Sequence, residues 1–190
     1  MLTLTNIIAL VITSMIANNV ILSQFLGICS FLGVSSNKKN SIGMGFAVTF
    51  VMVMSGMIAY LINKFLLEKF ELVYMRTIVY ILIIASLVQI VEILIKRFSK
   101  PLYKALGVYL PLITTNCAIL GVATIISSLL WYEALIVSFG SGLGYTFVIL
   151  IFSSMREHIS FSDIPNAFKG IPIALILAGI MAMIFTKFGG

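Results

Sequence analysis

Residues 2–37 read LTLTNIIALVITSMIANNVILSQFLGICSFLGVSSN and contain no Lys, Arg, Asp, Glu or His. A helix needs about 20 apolar residues to cross a hydrocarbon core about 30 Å thick, so this run exceeds one simple span. It has no basic leader and no distinct small-residue cleavage site. It therefore reads as a first membrane span and not as a cleaved signal peptide. The rest of the 190 residues follow suit. The chain is 61% hydrophobic and 9% charged, against about a quarter charged in a soluble domain, which excludes a soluble fold. The net charge of +6 comes from Lys and Arg lying between apolar runs. That pattern points to membrane topology and anionic lipid, not to nucleic acid.

Working outward, the apolar runs predict an all-α integral membrane protein with spans at about 4–34, 42–62, 77–95, 105–126, 134–154 and 171–188. The connections after spans one, three and five carry Lys38 and Lys39; Lys96, Arg97, Lys100 and Lys104; and Arg156 and Lys169. These are eight of the 12 basic residues. Positive residues concentrate on the cytoplasmic side, so both termini are expected outside. The longest connection, about 155–170, has room for an interfacial helix but not for a domain. No nucleotide- or flavin-binding domain fits, and redox chemistry on a soluble substrate would need partner subunits.

The only two cysteines share a motif, Cys-x-x-Leu-Gly-Val, at Cys29–Val34 and Cys117–Val122. A second echo follows each: Gly43-Met44-Gly45-Phe46, then Gly142-Leu143-Gly144-Tyr145. Two echoes in the same order predict a duplication, with repeat one at about 1–98 and repeat two at about 99–190. Three spans per repeat force the copies to run oppositely through the bilayer, and inverted repeats commonly build midplane sites from interrupted helices. Span one carries Asn18, Asn19, Gly27 and Gly33. Span four carries Gly107, Pro111, Thr114, Thr115, Asn116 and Gly121. Spans one and four are therefore expected to be broken, bringing their cysteines together near the centre from opposite leaflets.

From the residues alone, several readings of the cysteines stand. A Cys in a membrane helix is often a small buried hydrophobe. A disulfide is disfavoured for buried residues so far apart in sequence. A soft metal site becomes attractive if the duplication brings both thiols to one point. Two cysteines cannot complete the four thiolates of an iron–sulfur cluster, and the one His, His158, falls in the last connection. Further ligands would have to come from another chain.

Longer segments carry a resemblance. They include Asn18-Asn19-Val-Ile-Leu, Phe25-Leu26-Gly27-Ile-Cys29, Gln89-x-x-Glu92, and Leu110-Pro111-Leu112-Ile113-Thr114-Thr115-Asn116-Cys117-Ala118. Near the end, Arg156-Glu157, Pro165, Phe168-x-Gly170 and Ala178-Gly179-x-Met181 agree as well. Over almost its whole length the chain resembles the RnfA family. The related NqrE family of sodium-pumping NADH:quinone oxidoreductases shares the Leu-Pro-Leu-Ile block, but Thr115 and Asn18 favour the Rnf side. Ser30 departs from the pattern, since many relatives have Pro after the first Cys.

The resemblance implies a subunit of an ion-translocating ferredoxin:NAD oxidoreductase in a bacterial or archaeal cytoplasmic membrane. It implies pairing with a similar, inverted subunit, RnfE, around one intramembrane [2Fe–2S] cluster with two ligands from each chain. Carried over by position, those ligands are Cys29 and Cys117. Gly27, Thr115 and Asn116 become candidates for hydrogen bonds or close approach to sulfur. A midplane cluster would split a core of about 30 Å into two electron steps of about 15 Å.

Glu92 in span three is a candidate for ion coupling, as intramembrane carboxylates are. A helix pair with Lys96 explains it equally well. Two rivals remain: the equivalent subunit of the quinone-reducing sodium pump, and a stand-alone transporter with idle cysteines.

Overall fold

The computed structural model describes residues 4–17, 19–67, 73–98, 112–113, 115–162, 165 and 168–189. Among these residues all regular structure is helical. In chain order, α1 is Leu4–Ile12, α2 Val20–Gln24, α3 Ile28–Val34, α4 Lys38–Ile62, α5 Arg76–Phe98, α6 Cys117–Ile126, α7 Trp131–Ser160 and α8 Ile171–Gly189. Wide π turns extend α1 over Thr13–Ala17 and α4 over Asn63–Leu67.

Three helices are individually long and apolar enough to cross a membrane: Lys38–Phe65, Arg76–Ile93 and Trp131–Ser160. The remaining apolar helices are shorter. The expected first span at 4–34 is three separate helices. Of the expected fourth span, Leu112, Ile113 and 115–126 are described, and Gly107, Pro111 and Thr114 lie outside the described residues, as does Asn18. The expected connection at 155–170 is shorter than predicted, because α7 runs on to Ser160. His158 is therefore an exposed residue in the last turn of α7 and not a loop residue.

The breaks in the first run are chemically satisfied, as they must be where water is scarce. Asn19 bridges the first gap. Its Oδ1 accepts from Ile21 N–H at 3.1 Å, and its Nδ2 donates to the Met15 carbonyl at 3.0 Å. At the second gap Phe25 turns left-handed (φ 55°), and the Leu26 N–H closes onto the Val20 carbonyl at 3.1 Å. A non-glycine residue in that conformation costs roughly 1–2 kcal/mol.

The core lies between α4 and α7, which pack antiparallel along most of their length. Half of each spanning window is buried, against 17% for α5, which lies at the periphery. The α4–α7 contact is reciprocal. A Cβ on Gly45 would sit 2.6 Å from Thr146 Cγ2, and one on Gly142 would sit 2.7 Å from Thr49 Cγ2. Thr49 Oγ1 and Thr146 Oγ1 meet between them at 3.1 Å. The sequence echo aligns Gly43 with Gly142. The contact instead makes Gly45 the counterpart of Gly142, a shift of two residues.

The two ends of this pair define two faces. At one, Lys38 pairs with Glu157 at 2.7 Å, and Arg156 Nη1 donates to the Leu32 carbonyl at 2.8 Å and to Ser35 Oγ at 2.9 Å. At the other, Asn63 Nδ2 donates to the Ser127 carbonyl and Arg76 Nη1 to Ser127 Oγ, both at 3.1 Å. The carboxyl ends of α3 and α6 are thus directed to opposite faces, each met by an arginine from the other half of the chain. A cation suits a helix carboxyl end because the last carbonyls are unpaired and carry partial negative charge.

Candidate functional site

Both cysteines stand in the first turn of a helix that starts inside the protein. Cys29 is the second residue of α3, after Gly27. Cys117 is the first residue of α6, after Asn116, whose Oδ1 accepts from Ala118 N–H at 3.1 Å. The unpaired N–H groups of the first turn of α6 lie beside Cys117.

The motifs meet across 90 residues: the Gly27 N–H donates to Cys117 Sγ at 2.8 Å. Gly27 holds a left-handed conformation (φ 86°), and a Cβ there would lie 3.0 Å from Ala118 Cβ and 3.1 Å from Asn116 Oδ1. Only glycine provides both the backbone angle and the space. Below Gly27, Ser30 Oγ donates to the Gly27 carbonyl at 2.9 Å and lies 2.8 Å from the Tyr145 hydroxyl. Tyr145 is 2% exposed, and its hydroxyl is within electrostatic reach of both Cys29 and Cys117. It also faces the Asn116 side chain, whose buried Nδ2 has no partner at hydrogen-bonding geometry.

Both thiols are free. Cys117 is half-buried and Cys29 is exposed on the surface of the chain, not buried as the apolar run suggested. No third His, Cys, Asp or Glu joins them among the described residues to form a metal-binding group. What one chain presents is a pair of thiols, one backed by a peptide N–H and a helix start, and the other open to whatever covers this face.

Of the expected site residues, Gly27 and Asn116 are at the cysteines. Thr115 is an exposed turn residue immediately before the Asn116 cap. Glu92 is half-buried on the peripheral α5, and none of the described hydrogen bonds joins it to the cysteine motifs. Sequence reasoning misses Ser30 and Tyr145 as site residues. The available signal is the hydroxyl that Tyr145 adds where the first glycine echo has Phe46.

The profile of the family described as "Rnf-Nqr subunit, membrane protein" matches residues 7–190. The chain belongs to the Rnf-Nqr family. Similar Rnf-Nqr proteins include the A-type subunit of the Na(+)-translocating ferredoxin:NAD(+) oxidoreductase complex of Acetobacterium woodii, 48% identical over 186 residues and covering 97% of each chain. The A-type subunit of the ion-translocating oxidoreductase complex of Shewanella sediminis is 46% identical over 183 residues, covering 95% of each chain. Its counterpart in Vibrio vulnificus is 45% identical over 189 residues, covering 98% of each. The apolar helices of the Rnf-Nqr chain described here agree with its membership of a membrane-protein family.

Proposed function

We propose that the chain is the A-type membrane subunit of an ion-translocating ferredoxin:NAD oxidoreductase. In this reading Cys29 and Cys117 supply two ligands of an intramembrane [2Fe–2S] cluster, and a homologous, inverted partner of the RnfE type supplies the other two. The observation that carries the reading is the Gly27 N–H bond to Cys117 Sγ at 2.8 Å, which joins the two cysteine motifs.

The residues present fit such a group. Iron–sulfur clusters take thiolate ligands and are tuned by hydrogen bonds to sulfur. Cys117 has a donor already aimed at it, and the neighbouring Asn116 carries a buried amide that faces the Tyr145 hydroxyl. Cys29 is exposed, as a ligand shared across a subunit boundary needs to be. The cluster, when bound, supplies one-electron transfer. The chain's part is to hold two sulfurs, to orient the Gly27 amide toward one of them, and to shield the site from lipid with α4 and α7.

The fold supports an inverted duplication. The Gly45–Thr146 and Gly142–Thr49 contacts are reciprocal, and the cysteine helices point to opposite faces. We assign the face holding Lys38, Lys39 and Arg156 to the cytoplasm of a bacterial or archaeal cell, with six spans and both termini outside. Exposed Tyr74 and Trp131 on the opposite face suit the water–lipid interface there.

The test is iron content and the EPR spectrum of the reduced, purified complex, with the wild-type chain and with Cys29→Ser plus Cys117→Ser. Loss of one [2Fe–2S] signal, with the other subunits still bound, is the expected result. An unchanged spectrum together with unchanged electron transfer would leave the cysteines as packing residues and favour a transporter role.

A further inference from the structure

Tyr145 is the largest buried side chain at the site, and neither a ligand role nor simple packing accounts for its hydroxyl. Its ring lies over Gly27, so that a Cβ on Gly27 would be 3.5 Å from Tyr145 Cε2. The direction of its hydrogen bond follows from its neighbour. Ser30 has one O–H, which donates to the Gly27 carbonyl at 2.9 Å. With that O–H on the Gly27 carbonyl, the Tyr145 O–H is the donor across the 2.8 Å contact to Ser30 Oγ. A single directed chain results: Tyr145 O–H to Ser30 Oγ, Ser30 O–H to the Gly27 carbonyl, and Gly27 N–H to Cys117 Sγ. It begins on α7, crosses the first turn of α3 and ends on α6.

We infer that Tyr145 and Ser30 are positioning residues that hold the Gly27 amide on the Cys117 sulfur and thereby raise the reduction potential of the bound cluster. The inference rests on the cluster reading above. Gly27 needs such a clamp. It stands in the break between α2 and α3 with a left-handed backbone, and its own conformational freedom is the largest of any residue type. Linked polar groups in a low-dielectric interior polarise one another, so the far hydroxyl also strengthens the near bond. A donor to sulfur favours the more negative, reduced state, and potentials of such clusters respond to those bonds. Tyr145 touches neither sulfur through a described hydrogen bond. Its effect passes through Ser30 and Gly27, and because its hydroxyl also faces the Asn116 side chain beside Cys117, Ser30→Ala, which leaves that contact in place, isolates the Gly27 route.

The experiment is an EPR-monitored redox titration of the intramembrane signal in the intact purified complex, with Tyr145→Phe, Ser30→Ala and, as a control, Tyr60→Phe. Tyr60 is a buried tyrosine of α4 whose ring lies 5.9 Å from Lys64 Nζ. Tyr145→Phe is expected to keep the signal and to lower the midpoint. At fixed solution potential the reduced-to-oxidised ratio should fall several-fold, with tenfold corresponding to about 59 mV for a one-electron couple. Ser30→Ala removes both hydroxyl links and should shift it further, while Tyr60→Phe leaves it unmoved. Hydrogen exchange at the Gly27 amide should quicken in the same order, a readout that does not depend on the cluster. An intact signal with an unshifted midpoint in Tyr145→Phe and Ser30→Ala overturns the inference and leaves the cluster reading standing. Should Tyr145→Phe fail to assemble, Ser30→Ala decides alone. A spectrum unchanged by Cys29→Ser plus Cys117→Ser overturns the cluster reading itself, and this inference with it.

Discussion

Asn116 uses one side chain for two purposes, and they can be separated. Its Oδ1 caps α6, while its buried Nδ2 faces the Tyr145 hydroxyl. Loss of a capping oxygen costs about 1 kcal/mol. Asn116→Ala should therefore lower the thermal midpoint of the detergent-solubilised complex, and Asn116→Ser, which keeps a capping oxygen, should restore most of it. Equal losses for Ala and Ser would mean that the amide, and not the capping oxygen, holds the site together. Cys29 and Cys117 are legible in the sequence because a duplicated motif marks positions that composition alone would hide, and Gly27 and Asn116 are legible through the family resemblance. Tyr145 and Ser30 are not. An aromatic residue in an apolar run looks the same whether it packs or donates, and a Ser in a membrane helix commonly bonds its own backbone. Only the fold brings residues 30 and 145 together.

At the level of elements, hydropathy locates α4, α5, α7 and α8 to within a few residues but misjudges where helices end. It closes the run for α7 at residue 154 because polarity rises there. Met155, Arg156, Glu157 and His158 nevertheless continue the helix to Ser160. Hydropathy marks the edge of the membrane, whereas helix propensity and capping mark the end of the helix. The number of breaks in the first run is hidden for a related reason, since Asn19 and Phe25 stop a helix only if their local hydrogen bonds are made. The α4–α7 contact yields a sharper expectation. A Cβ at Gly142 would meet the Thr49 backbone, 2.9 Å from its Cα, whereas one at Gly45 meets only the Thr146 side chain. Overpacking a tight core costs about 1–3 kcal/mol. Gly142→Ala should destabilise more than Gly45→Ala. Thr146→Ala should partly rescue Gly45→Ala, but Thr49→Ala should not rescue Gly142→Ala, because the obstructing backbone remains. Thermal unfolding of the purified complex carrying each pair checks this, and equal rescue in both would refute the backbone contact.

Across the whole molecule, charge and fold make independent statements about orientation. Charge counting assigns the connections after the first and fifth spans to one side of the membrane because both are basic. The fold brings those same segments together physically, through the 2.7 Å Lys38–Glu157 pair and the Arg156 bonds to Leu32 and Ser35 at the end of α3. The charge rule concerns insertion, which follows Lys and Arg near span ends. The contacts concern packing, which is indifferent to which side is inside. Their agreement on which segments share a face is therefore informative, while the choice of side rests on the charges alone. Arg76, with Asn63 and Ser127, closes the other face, so each cysteine helix is held at its carboxyl end by an arginine from the opposite half. This crossing makes the halves interdependent and explains why the site needs both. The orientation can be read directly by adding a cysteine at Lys39→Cys or Ser160→Cys on one face and at Tyr74→Cys or Leu130→Cys on the other. All four positions are exposed. A membrane-impermeant maleimide applied to intact cells should label Tyr74→Cys and Leu130→Cys above the wild-type background of Cys29 and Cys117, and label the other two only in inverted vesicles. The reverse pattern would keep the fold and turn it over in the membrane. Labelling that splits Lys39→Cys from Ser160→Cys would contradict the antiparallel α4–α7 pair at the core of the fold.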